Sequence, residues 1–183
     1  MGSYYYLAAQ LPYLVYGQNP PMSSAAFLAQ ARDELSPQDA ELLDYCTLNP
    51  ASTESQAQRT PSAFINRWRD WERTVRLNLA RGRAQKIKRE AGAGFDAPDY
   101  PADASAAAKG ALAMDSPLEA ELFLDKARWD IIDSLQGINI FSESAIYAYL
   151  LKLLLMERRV AFNTEEGFTE YKALYTAILG EAK

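Results

Sequence analysis

The sequence contains no histidine. That absence removes Ser-His-Asp and Cys-His nucleophile activation, and nearly every zinc or iron site built on imidazole. Cysteine is almost as scarce: Cys46 stands alone, so an internal disulfide is impossible, and a single thiol with apolar neighbours reads as a small core residue. Long apolar runs are missing too. The longest, Ala145 to Met156, is twelve residues and is interrupted by Lys152, whereas a membrane span needs about twenty. The N-terminus shows no cationic segment leading into an apolar stretch and a small-residue cleavage site, so a signal peptide is not indicated and the expected location is the cytoplasm.

What is present is ordinary globular composition, 49% apolar and 23% charged over 183 residues. A chain of this size forms one domain and buries roughly 70% of its unfolded surface. We therefore expect a single helical domain over 1–183.

The opening, SYYYLAAQLPYLVYGQNPP, ends in turn chemistry at Gly17 and Pro20-Pro21. Tyr4, Leu7, Ala8 and Leu11 have helical spacing while the tyrosine triplet favours extended structure, so this segment is either a short helix or a strand. The stretch is too apolar for an exposed tail and must pack on this chain or on another. Two short helices follow in SSAAFLAQARDEL and SPQDAELLDYC, the second with Ser36 as N-cap and Pro37 at the first helical position. Residues 49–61 are polar and read as a loop.

A long helix is predicted from about Ser62 to Glu90. Phe64, Trp68, Trp71, Val75, Leu79 and Gly82 recur at spacings of three and four and form its core stripe. Residues 91–116, with ten alanines, three glycines and two prolines, read as a flexible connector or protrusion with one weak helical stretch near Ala106. Ser116-Pro-Leu-Glu119 is a capping box, opening a helix to about Leu135 that is expected to bury Leu118, Leu122, Trp129 and Ile132. Gly137 and Asn139 turn the chain into SESAIYAYLLKLLLMERR, apolar nearly all round and so central to a bundle. A last helix is predicted from near Thr164 to Gly180, with Phe168, Tyr171, Leu174, Tyr175 and Ile178 on one face. The fold class is all-α, a helical bundle with one long basic helix.

That helix is the anomaly of the sequence. Residues 67–90 hold nine basic and three acidic side chains inside a chain of net charge -5. Arg69, Arg73, Arg76 and Arg83 share a second stripe, about a third of a turn or more from the tryptophans, where like charges repel by a few tenths of a kcal/mol per pair. A solvated helix face is the plainest explanation. The functional one is docking: Arg69, Arg73, Arg76, Arg83, Lys86 and Arg89 as a partner-binding surface. Nucleic acid fits less well, because the isoelectric point is about 4.9 and the tryptophans lie on the buried stripe.

No catalytic constellation accompanies this helix. Gly92-Ala-Gly94 follows a helix and matches neither a dinucleotide fingerprint nor a P-loop. Carboxylates gather at Asp39, Glu41 and Asp44, at Glu119, Glu121 and Asp125, and at Glu165 and Glu166, mostly near helix starts where negative charge favours the dipole. No spacing marks a metal or cofactor site, and the expectation is a protein that is not an enzyme.

YYYLAAQLPYLVYGQNPPMSSAAFLAQARDELSPQD, the tryptophan-arginine helix and the leucine-rich helices after it together resemble a bacterial family of uncharacterised proteins encoded alongside V-type (vacuolar/archaeal-type) ATPase genes. The shared features are the YYYL-A-LP opening, the PP-S-FL segment and a helix of the WERTVRLNLARGRA kind. That family looks like a shortened relative of the V-type ATPase C subunit, known in eukaryotes as the d subunit, a helical socket between the membrane rotor ring and the central shaft. The resemblance implies a non-catalytic ATPase component that contacts the rotor ring or the shaft, or aids assembly, at the cytoplasmic face of the inner membrane. The rival expectation is a free-standing helical adaptor for nucleic acid or an acidic regulatory protein.

Overall fold

The structure is a computed structural model that describes residues 4–49, 59–87 and 101–162. Among them the elements are all helical: α1 Tyr4–Gln10, α2 Ser24–Glu34, α3 Pro37–Leu43, α4 Ala63–Lys86, α5 Ala102–Leu112, α6 Pro117–Gln136 and α7 Glu143–Val160. The opening segment is thus a helix, with Leu7 turned inward. The helix predicted beyond Thr164 lies outside the described residues.

Serine starts most of these helices. The hydroxyls of Ser23, Ser36, Ser62, Ser116 and Ser142 accept from the backbone N–H of Ala26, Asp39, Ile65, Glu119 and Ala145, so α2, α3, α4, α6 and α7 each have one orphan donor satisfied locally. Gly137, at φ 70°, ends α6 in a backbone conformation that a Cβ would strain.

The α4 stripe is buried as its spacing predicts, from Phe64 through Trp68, Trp71 and Val75 to Leu79. Trp68 and Trp71 stack with ring centroids 6.0 Å apart, and their indole N–H groups donate to the Thr47 carbonyl and to Asp103. The alanine-rich stretch differs from its reading as a connector. From Ala102 to Leu112 it is α5, packed on α4 and α6 through Ala104, Ala107, Ala108 and Ala111. Alanine is the best helix former, and its small side chain lets neighbouring backbones approach. At Gly82 an added Cβ would stand 2.2 Å from Leu112 Cδ1, which shows how close α4 and α5 come. Residues 91–100 of the expected connector lie outside the described residues.

Contacts fix the directions. Trp71 meets Asp103, Asn78 meets Ser105 and Lys86 meets Leu112, so α4 and α5 run the same way. Arg158 meets Glu121 and Lys152 meets Gln136, so α7 runs back along α6. α7 touches α1, α2, α3, α4 and α6, the central place its apolar surface required. At its far end Glu157 accepts from the N–H and hydroxyl of Ser24, anchoring the start of α2, where a negative charge suits the helix dipole. On α6 the buried set is Leu124, Asp125, Arg128, Trp129 and Ile132; Leu118, expected inside, is exposed in the first turn and Leu122 is half-buried.

Candidate functional site

Side chains 45–49, just after α3, lie along α4 and meet the stripe that the sequence suggested for docking. Arg69 is half-buried with its guanidinium 5.7 Å from the Tyr45 ring centre. Arg73 pairs with Asp70 at 2.7 Å. Arg76 donates to Glu72 at 3.0 Å, to Asn49 at 2.9 Å and to the Leu48 carbonyl. Each of these three guanidinium groups therefore has a partner within the chain. Arg83 is exposed and, among the described residues, has no ion pair; Lys86 donates to the Leu112 carbonyl; Arg89 lies outside the described residues. The exposed positive charge of α4 is left to Arg67, Arg81, Arg83 and Lys86.

Inside the bundle sits a charge network across α4, α6 and α7. The Glu72 side chain has no exposure, and its two carboxylate oxygens accept at 3.0 Å from Nε and NH2 of Arg128 in a bidentate pair. Arg128 also donates to Asp125 at 2.8 Å, Arg158 reaches the same Asp125 oxygen at 3.5 Å, and Arg158 pairs with Glu121. With Arg76 on Glu72 the set is three arginines and three carboxylates, neutral as a whole.

Burial pushes the Asp125 carboxyl above its ordinary range, against the pull of Arg158 and Arg128. Burial also works against the Arg128 charge, but Glu72 and Asp125 outweigh it and hold that guanidinium above its usual value. Such a network sets how three helices lie against one another, and removing one member strands its partner. Its buried members, Glu72, Asp125 and Arg128, tie α4 to α6. Sequence reasoning placed Asp125 among carboxylates favouring a helix start, yet it is the ninth residue of α6 and sits on the core face beside Trp129. The available signal was its i, i+3 spacing to Arg128 on that face.

The opposite chemistry lies at the end where α1 meets the α6–α7 turn. Tyr5, Tyr6, Tyr13, Ile138, Ile140 and Phe141 are exposed there, Ile138 completely and Tyr13 at 89%. The rings of Tyr5 and Phe141 meet at a tilt of 36°, with centroids 4.4 Å apart. A groove of about 380 Å³ runs between Leu11, Pro12 and Tyr13 on one side and Ile140 and Tyr149 on the other. Across the first turn of α7 lies a second, of about 440 Å³, bordered by Asp39, Glu41, Tyr45, Arg59 and Glu143. A third, of about 670 Å³, passes Arg59, Arg67, Asp70, Trp71 and Asp103. Among the described residues no group of three His, Cys, Asp or Glu side chains is placed to hold a metal ion. Cys46 is buried, and burial pushes its thiol upward, away from the reactive thiolate. Also among the described residues, no helix is long and apolar enough to cross a membrane. No protein-family model, no curated protein and no solved structure matches this chain.

Proposed function

We propose that the protein is a non-catalytic helical component of a V-type (vacuolar/archaeal-type) ATPase, similar to the C subunit of such enzymes. It links rotor parts or aids assembly through contacts between proteins at the cytoplasmic face of the membrane. One observation carries the protein-contact part: the exposed apolar end built by α1 and the α6–α7 turn. Apolar residues scattered singly need no explanation, but here the Tyr5 and Phe141 rings meet and Tyr13 and Ile140 border one groove, and exposed apolar residues gathered in this way mark an interaction site. The ATPase part rests on the sequence resemblance. Its YYYL element supplies Tyr5 and Tyr6, two of the side chains that reach water, and Tyr13 directly follows its LP pair.

The partner surface is placed here and not on the arginine stripe because Arg69, Arg73 and Arg76 have partners inside the chain. The nucleic-acid adaptor is less well supported, since Trp68 and Trp71 are enclosed and offer no face for base stacking.

The test is co-purification. The tagged chain is expressed with the V-type ATPase subunits, alongside a Tyr13→Asp, Ile138→Asp variant whose circular dichroism and melting curve match the wild type. Rotor or shaft subunits should elute with the wild type and be lost from the variant. Elution of the wild type free of ATPase subunits, or equal recovery with the variant, overturns the reading.

A further inference from the structure

The two grooves flanking the first turn of α7 differ in character, and the difference specifies an occupant. The first is lined mostly by apolar side chains, among them Leu11, Tyr13 and Ile140, with Gln136 and the mutually paired Lys152 and Asp133 in its wall, and Ile138 and Phe141, next to Ile140 in the chain, are exposed. The second carries Asp39, which accepts from the Ser36 hydroxyl, with Glu41 and Glu143, and the three take part in no ion pair among the described residues; of the cations near them, Arg59 pairs with Asp70 and Arg69 lies over the Tyr45 ring. At the border the Tyr4 hydroxyl is held in its protonated form by burial and then by Asp39 and Glu143. This end is therefore an apolar surface with a negative lip.

We infer that it docks a segment of a partner protein whose apolar side chains are flanked by lysine or arginine. The inference rests on the protein-contact reading above and adds the chemistry of the partner. Each rival occupant meets the negative lip with the wrong charge. A second copy in a two-fold contact sets the same carboxylates against themselves. An anionic lipid surface is repelled. The chain's own residues 163–183 carry four glutamates and two lysines. A basic-flanked apolar segment alone fills the groove and relieves the carboxylates, and across such a lip the charges guide register and arrival rate.

The test uses the full chain and two synthetic helical peptides with the same leucine face, one flanked by lysines and one by glutamates, titrated by calorimetry at low and high salt. The lysine peptide should bind about tenfold tighter at low salt, with the preference shrinking as salt screens the lip. An Ile138→Asp, Ile140→Asp variant should lose both peptides. A Glu41→Gln, Glu143→Gln variant should keep binding but lose the preference. Equal binding of the two peptides, or a preference that survives the glutamine variant, overturns the charge assignment while leaving the protein-contact reading standing. Absence of peptide binding, dimerisation abolished by Ile140→Asp, or sedimentation with phosphatidylserine vesicles through the same residues overturns the docking assignment. Failure of ATPase co-purification with the peptide preference intact removes only the ATPase.

Discussion

The Glu72 carboxylate, shut off from water between two arginines, is the residue whose loss the bundle should feel most. In Glu72→Ala, Arg128 remains buried with only Asp125 to answer it, and the expected cost is about 3–5 kcal/mol. Urea titration measures it. Replacing Glu72 and Arg128 together by leucine and methionine should cost much less, because no charge is stranded. Asp125 gives the network a pH dependence of defined sign. Its folded pKa lies above the unfolded value of 3.8, so the folded state holds the proton more tightly. Its contribution is complete below that value and is lost as pH rises through the folded pKa. Stability of the wild type relative to Asp125→Asn should therefore fall as pH rises from about 4 toward neutral; parallel denaturation series check this, and a constant or rising difference contradicts it. The places of Trp68 and Trp71 were legible because three-and-four spacing defines a helix face. Glu72 was not, because it lies beside the stripe, and its burial depends on Arg128 arriving from α6.

At the scale of elements, the serine caps were open to sequence reading because capping is a local bond between residues three apart. Ser116→Ala should lower stability by about 1 kcal/mol, and thermal melts followed by circular dichroism test it. α5 was legible only as a weak helical stretch near Ala106, for a related reason. Alanine runs with glycine and proline nearby suit either a connector or a helix, and only the faces of α4 and α6 decide between them. The contact of Gly82 with Leu112 is the sharpest case. Alanine at 82 gains up to about 1 kcal/mol of helix propensity but must push aside the methyl of half-buried Leu112, so the net change in Gly82→Ala should be within about 1 kcal/mol of zero. In a Leu112→Ala background the same change should be more favourable by the cost of moving that methyl. A double-mutant cycle in urea reads the coupling, and additivity would show that the two side chains do not meet there.

Across the whole molecule, charge divides the surface in a way that one number for net charge conceals. Arg69, Arg73 and Arg76 have internal partners, while Asp39, Glu41 and Glu143, in no ion pair among the described residues, line the groove across the first turn of α7. Reversing Arg76 to glutamate should unfold the protein by placing like charge on Glu72, so lost binding in that variant is no evidence of a docking arginine. Ile138→Asp, at a fully exposed position, should change stability by no more than about 0.5 kcal/mol while removing partner association. Melting temperature and co-elution, measured on the same preparation, separate the two effects.

The helices from α2 to α4, α6 and α7, their capping and the tryptophan stripe of α4 were determined by the sequence alone, since each depends on residues within one or two turns, whereas α1 was left between helix and strand. Which charges are buried, that the alanine stretch is a packed helix, and that Arg69, Arg73 and Arg76 have partners within the chain were decided only by tertiary structure. The reason is common to all three: a helical periodicity specifies faces, but the environment of a face belongs to whichever distant element packs against it.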